Sequence, residues 1–276
     1  MAHKSALVTG GTSGVGLSIV RELAQSGVYV HFIGTNQERG KRIERELNGA
    51  RTPVCKFIQL DLSRLRGVRD FAHRFRSEVP ELNLLLNVAG VMLPKRQETS
   101  EGIEKTLAIN HLSAFLLSRE LTPPLAKGSH ARIINVSGAP AQVLKPRFDF
   151  EDIHFDKKYS GIRAAIDSIH AKTALTQSLA EKLKSRGIDV NAFHPGLVKS
   201  ELGRHMPFPM SLVFAIASIF MSKASESGIY VSQSPNVEGV TGQLFVKKRA
   251  RPLNFEHGYR ERLWGVTEDL IARAIT

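Results

Sequence analysis

A chain of 276 residues with 42% hydrophobic content is long enough to close one large core, and its single cysteine, Cys55, excludes an internal disulfide and any cysteine-rich metal site. The 38 basic residues outnumber the 26 acidic ones by 12, but clusters such as Arg39, Lys41, Arg42 and Arg45 spread around expected helices as solvated faces, with no motif for reading nucleic acid. Met1-Ala2-His3-Lys4-Ser5 passes straight into an apolar run without a signal-peptide pattern, so a cytoplasmic protein is expected.

In chain order, short runs rich in Val, Ile and Leu predict strands at 6–9, 28–33, 54–60, 82–88, 132–136, 188–193 and 244–246. Helical periodicity predicts helices over 16–25, 38–47, 65–76, 103–121, 162–184 and 259–274. This alternation implies an α/β protein: a single-domain Rossmann fold over 1–276, with a doubly wound, seven-stranded parallel sheet flanked by helices. In such sheets ligands bind beyond the carboxyl ends of the strands.

The first strand ends in Thr9-Gly10-Gly11-Thr12-Ser13-Gly14-Val15-Gly16, which opens directly into a helix. Glycines let the backbone turn tightly and approach a pyrophosphate, whose charge is favoured by free N–H groups at a helix start. Gly10, Thr12, Ser13, Gly14, Val15 and Gly16 are therefore candidate dinucleotide-binding residues. At the end of the second strand, Gly34-Thr35-Asn36 offers no carboxylate to bind a ribose 2′-hydroxyl. Thr35 and Asn36 can donate hydrogen bonds to a 2′-phosphate, and Arg39 lies within one helical turn of them. NADP(H) is thus favoured over NAD(H).

The spacing Thr-Gly-x-x-x-Gly-x-Gly resembles that of the short-chain dehydrogenase/reductase family, and further matches follow in order along nearly the whole chain. Asp61-Leu62 resembles the family's adenine-contacting pair. Asn87-Val88-Ala89-Gly90 resembles its Asn-Asn-Ala-Gly element, with Val88 in place of the second Asn. His194-Pro195-Gly196-Leu197-Val198-Lys199-Ser200 is similar to the loop that contacts the nicotinamide carboxamide, and "ERLWGVTEDLI" resembles the retinol dehydrogenase branch. The resemblance implies cofactor contacts from Asp61, Leu62, Asn87, Ala89, Gly90, Lys172, Pro195, Gly196, Val198 and Ser200, and no metal. It also implies a catalytic role for Asn110, which falls where the family keeps an asparagine that holds a relay water.

The stretch "SIHAK" departs from this pattern. The family carries Tyr-x-x-x-Lys on the helix after the fifth strand, and alignment on Lys172 puts Ser168 at the tyrosine position. The family's catalytic serine falls at Gly138, leaving Ser137 one place early. A tyrosine is effective because its pKa can be drawn down from about 10 toward working pH. A serine hydroxyl is far less acidic and its side chain several ångströms shorter, so Ser168 would supply at most a water-bridged proton path, with Ser137 polarising the substrate oxygen. Asp167, Tyr159 and His194 are alternative acids without a distinguishing spacing, and His170 faces elsewhere on an ideal helix. A nucleophilic Ser168–Lys172 dyad would need a neutral lysine, whereas the family places a charged one on the nicotinamide ribose.

Residues 205–221, "HMPFPMSLVFAIASIFM", are almost wholly apolar but shorter than the about 20 residues of a membrane span. In the resembled family this segment forms a substrate lid, expected here at about 203–225 over a lipophilic pocket; an interfacial membrane helix or a subunit contact is the alternative. The expected function is a divergent, NADP(H)-dependent oxidoreductase acting on a small lipophilic carbonyl or alcohol. Peripheral membrane contact and homo-oligomers remain open partners, and nucleic acid is not expected. The alternatives are a cofactor-binding protein without redox turnover, a sensor or interaction partner, and an enzyme that uses the site for non-redox chemistry.

Overall fold

A computed structural model describes residues 4–49, 53–145, 147–196 and 224–276. The apolar runs pair into one sheet whose strands are β1 (Ser5–Thr9), β2 (Tyr29–Gly34), β3 (Cys55–Gln59), β4 (Leu84–Asn87), β5 (Arg132–Val136), β6 (Asp189–His194), β7 (Gln243–Val246) and β8 (Arg249–Pro252). Their order is β3-β2-β1-β4-β5-β6-β7-β8. The first seven pair in parallel and β8 runs antiparallel to β7.

Eight strands replace the expected seven. Arg249-Ala250-Arg251-Pro252 has no apolar alternation and is exposed throughout, so nothing in its side chains marks a strand. Its backbone pairing with β7 across the short Lys247-Lys248 turn makes it one.

The helices that position the site are α1 (Gly14–Gln25), α2 (Gln37–Asn48), α3 (Leu65–Glu78), α4 (Ser113–Glu120), α5 (Gly161–Leu183), α6 (Glu226–Gln233) and α7 (His257–Ile275). Successive strand residues point to opposite faces, so each strand feeds two cores. On β1, Ala6 and Val8 pack with Ile19, Leu23, Ile43 and Val231 from α1, α2 and α6. Leu7 packs on the other face with Phe71, Leu116, Leu175 and Ile271 from α3, α4, α5 and α7.

The expected helix over 103–121 is broken. A short turn at Lys105–Leu107 runs into a π-helical turn, Ala108–Leu112, before α4 begins. At its centre the Asn110 carboxamide is bonded to the backbone of Val91: Oδ1 accepts from the Val91 N–H at 2.8 Å and Nδ2 donates to the Val91 carbonyl at 3.0 Å. π turns of this kind appear frequently at functional sites. Sequence reading also missed α6, an eight-residue helix without a clear apolar period; the Ser225 side chain caps it by accepting from the Gly228 N–H. The expected lid lies outside the described residues except at its last two positions, Ala224 and Ser225.

Candidate functional site

β1 has β2 on one side and β4 on the other, so the connections leaving β1 and β4 diverge and open a crevice at their carboxyl ends. Thr9 fastens its floor, accepting from the N–H groups of Val88 and Ala89 at 3.0 and 3.1 Å and donating to the Leu86 carbonyl at 3.3 Å. The glycine turn sits against this floor. Gly10 has φ +68°, and a Cβ there would lie 2.9 Å from Ala89 Cα; a Cβ on Gly16 would lie 2.2 Å from the Gly10 carbonyl oxygen. Only a bare backbone can come this close. Ser13 opens α1 with extended backbone and no side-chain cap bond, leaving the N–H groups of Gly14, Val15 and Gly16 to an incoming anion.

Replacing Gly16 by Ala is expected to force the turn off α1, costing about 1–3 kcal/mol as overpacking does. The checks are a fall in thermal midpoint of about 2–10 °C and loss of NADPH binding by fluorescence titration. An unchanged affinity would show that the turn does not hold the cofactor.

At the end of β2, Gly34 packs under Thr12, whose Cγ2 would lie 2.5 Å from a Cβ at that position. Asn36 caps α2 by accepting from the Arg39 N–H at 2.8 Å, which leaves its amide nitrogen as a donor at the rim. Thr35 and Asn36 are exposed. Beyond β3, the Asp61 carboxylate accepts from the N–H and hydroxyl of Ser63 at 2.9 and 2.8 Å, and a groove of about 840 Å³ opens beside it.

Two expected cofactor residues face inward. Leu62 packs into the core. The Asn87 side chain donates to Ser118 Oγ at 3.1 Å and Asn135 Oδ1 at 2.9 Å, tying β4 to α4 and β5, while its buried Oδ1 has no partner among the described residues. Gly90 lies beside Asn110, whose Oδ1 would be 3.5 Å from a Cβ there. Pro195 and Gly196 continue β6, with the Pro195 carbonyl accepting from Ser225 Oγ at 3.0 Å and Gly196 at φ +75°. Val198 and Ser200 lie outside the described residues.

The structure brings three of the four expected catalytic residues together. Asn110 Nδ2 donates to Ser168 Oγ at 3.1 Å, and Lys172 follows one turn later on α5. Ser168 is fully buried and donates its own proton to the Ala165 carbonyl at 3.1 Å. The hydroxyl is thus turned to its own helix. Ser137 is tied down in the same way. Its Oγ lies 2.7 Å from Thr173 Oγ1, which gives its proton to the Ile169 carbonyl, so Ser137 is the donor of that pair and points into α5. Gly138 cannot simply be a serine, since a Cβ there would lie 2.8 Å from Val143 Cγ1.

Lys172 is 4% exposed, and burial draws its amine down to about 7. Behind it lies a small cavity lined by Lys172, His111, Ser118 and Asn135, with Leu175 and Leu179. Sequence reading passed over His111, whose only signal is adjacency to Asn110. Its Nε2 lies 2.8 Å from Thr267 Oγ1, and Thr267 donates to the Leu263 carbonyl. His111 therefore carries its proton on Nε2, and its buried Nδ1 has no partner among the described residues.

Two of the alternative acids are held by other partners. The Tyr159 hydroxyl donates to the Leu93 carbonyl at 3.0 Å, and burial raises its pKa. Asp167 is clamped by Arg147 and Arg163. Burial lowers the pKa of His194, whose buried Nδ1 has no partner among the described residues. His170 donates from Nδ1 to the Val143 carbonyl at 2.8 Å and accepts from the Tyr259 hydroxyl at 2.6 Å, fastening the loop after β5.

The sequence profile described as "short chain dehydrogenase" matches residues 4–149. The chain is 32% identical to retinol dehydrogenase 12 of Bos taurus over 279 residues, 97% of this chain and 86% of the relative. Polyprenol dehydrogenase of Mus musculus is 34% identical over 273 residues, 94% of this chain and 81% of the relative. Among solved structures, an uncharacterised protein from Mycobacterium paratuberculosis superposes with a TM-score of 0.72 at 23% identity, covering 98% of this chain and 94% of that one. A blue fluorescent protein from a metagenomic library, solved in complex with NADPH, gives 0.65 at 24% identity, covering 88% and 95%. With likeness running from the glycine turn to the closing helix, the chain belongs to the short-chain dehydrogenase/reductase family of oxidoreductases.

Proposed function

We propose that the protein is an NADP(H)-dependent oxidoreductase acting on a lipophilic carbonyl or alcohol, with Lys172 as its proton-carrying group. The observation that carries this reading is the glycine turn, where Gly10 and Gly16 have no room for a Cβ and free N–H groups open α1 at the crevice. When bound, the nicotinamide supplies or accepts the hydride. The first turn of α1 binds the pyrophosphate, while Thr35, the Asn36 amide and Arg39 meet the 2′-phosphate with no carboxylate to repel it. Asn110 holds Val91 and Ser168 in place.

Ser168 and Ser137 keep their protons in internal bonds, whereas the Lys172 amine makes no hydrogen bond among the described residues, and its carbonyl accepts from Thr176 Oγ1. An amine titrating at about 7 is divided between its two forms near neutrality, so it can both give and regain a proton, as general acid–base catalysis requires. The names of the retinol and polyprenol dehydrogenases support a lipophilic substrate, and the NADPH complex of the structural neighbour supports the cofactor.

The commitment of both serine protons favours a second reading, cofactor binding without redox turnover. One sample distinguishes the two: NADPH fluorescence reports binding while absorbance follows its oxidation with aliphatic aldehydes of increasing length and with retinaldehyde. Oxidation that depends on a group titrating near pH 7 supports the enzyme, and binding with no oxidation across the series supports the second reading. Replacing Arg39 by Ala is expected to weaken NADPH by about 1–2 kcal/mol and leave NADH unchanged; equal effects on both would remove the 2′-phosphate argument.

A further inference from the structure

The β7–β8 hairpin carries four cations within five positions, Lys247, Lys248, Arg249 and Arg251, and no acidic residue stands between Glu238 and Glu256. All four are exposed. Among the described residues none of them takes part in an ion pair, whereas Arg21, Arg96, Arg163 and Arg260 all do. Protecting an open sheet edge does not require so much charge, because Pro252 on the same strand already blocks further pairing. The turn itself holds Lys247 at φ +55°, a left-handed conformation in which glycine or asparagine would be the easier residue. The sequence keeps a charge there against backbone preference.

The hairpin's place in the sheet gives these charges a direction. Val246 lies opposite His194 in the parallel β6–β7 register, so the Lys247-Lys248 turn projects from the same carboxyl-end rim as the Pro195-Gly196 connection and the crevice. Along β8 the period of two puts Arg249 and Arg251 on one face.

We propose that this hairpin is a docking surface for an anionic lipid bilayer, seating the protein with the crevice rim toward the membrane. Charge complementarity chooses this occupant. A bilayer presents a plane of spread negative charge and asks only for projecting cations. A single-stranded nucleic acid would be gripped by side chains that stack on its bases and a duplex read specifically by side chains that reach base edges, and beside its cations β8 offers only Ala250 and Pro252. The seating holds whether or not the protein turns over a substrate.

The test is co-sedimentation of the full chain with vesicles of phosphatidylcholine, with and without phosphatidylserine. Binding is expected only to the anionic vesicles and is released by high salt. Lys247→Gln with Lys248→Gln should lower the partition coefficient about 25-fold, at about fivefold per charge removed, and adding Arg249→Gln and Arg251→Gln several hundredfold. Unchanged NADPH binding and melting show that the fold is intact; should the fourfold variant misfold, the twofold variant in the exposed turn carries the test. Wild-type protein that ignores phosphatidylserine overturns the proposal, as does a folded variant that binds like wild type. Tighter binding to double-stranded RNA, lost with the same substitutions, would also overturn it and assign the hairpin to nucleic acid.

Discussion

Acidification from pH 7 to pH 4 is expected to remove most of the protein's stability, and three buried histidines are the cause. His31 is 8% exposed, its ring set edge-on between Tyr29 and Phe75 and its Nδ1 unpaired among the described residues. Burial first and the charge of Lys56 second lower its pKa to about 4. Burial, then Lys172 and His170, bring His111 to about 3. Burial brings His170 to about 4, with Arg147 adding to it and the bond to Val143 working against it. Each folded-state value lies below the unfolded value of about 6.5. Above pH 6.5 both states are neutral and the stability is fully present. As pH falls, the unfolded chain takes up protons that the folded one refuses, until the folded pKa is reached.

By pH 4 the three together amount to on the order of 9 kcal/mol, comparable with the whole stability of an ordinary domain. Asp167 and Asp189, whose carboxyls burial holds above their ordinary range, offset part of this near pH 4. Urea midpoints measured between pH 7 and pH 4 check the slope. His31→Phe, which keeps a ring between Tyr29 and Phe75, should move the acid limb to lower pH. A flat profile down to pH 5, or an unmoved limb in the variant, would rule the histidines out.

Replacing Lys172 by Met should make the protein more stable at neutral and acid pH while weakening its hold on NADPH. The folded pKa of about 7 lies far below the unfolded value of about 10.4. Between them the unfolded chain binds a proton that the folded one does not, so this group makes wild-type stability rise with pH by about 2 kcal/mol from pH 7 to pH 9. Below pH 7 the ammonium is buried at a cost on the order of 5 kcal/mol, which a thioether of similar shape does not carry. The variant's melting point should exceed that of wild type at pH 6, with the difference closing toward pH 10. A variant less stable at pH 6, or a gap independent of pH, would show that Lys172 is compensated by a partner. The substitution separates folding from function, because a residue kept for packing would not be easier to fold without.

The sheet and glycine turn were legible because their signals are local: aliphatic runs of strand length, and glycines where a strand meets a helix. β8 was not, because backbone pairing alone defines Arg249–Pro252. The π turn was hidden inside "LAINHLSAFLL", whose spacing reads as continuous helix, because the widening comes from the long-range bond between Asn110 and Val91. Spacing put Ser168 and Lys172 on one helical face, and the family resemblance added Asn110. Neither could say where a hydroxyl points, and both serines turned to acceptors on α5 that are present in any helix or supplied by Thr173. Asn87 shows the same limit at a strand end, where one step of alternation decides between crevice and core, and Leu62 shows it in the turn between β3 and α3.

The widened turn at Ala108–Leu112 also fixes the phase of everything around it. A π turn holds one residue more than the α-helical ladder, so removing one residue there would let the ladder close while rotating the two flanks against each other by about 100°. Asn110 through Ser118 are buried without a break, so rotating one flank would displace packed side chains on every face. The segment therefore acts as a frame marker inside a helix. A straight-helical counterpart aligned to this stretch needs a one-residue gap in the middle of secondary structure, at the asparagine, where gaps are ordinarily forbidden.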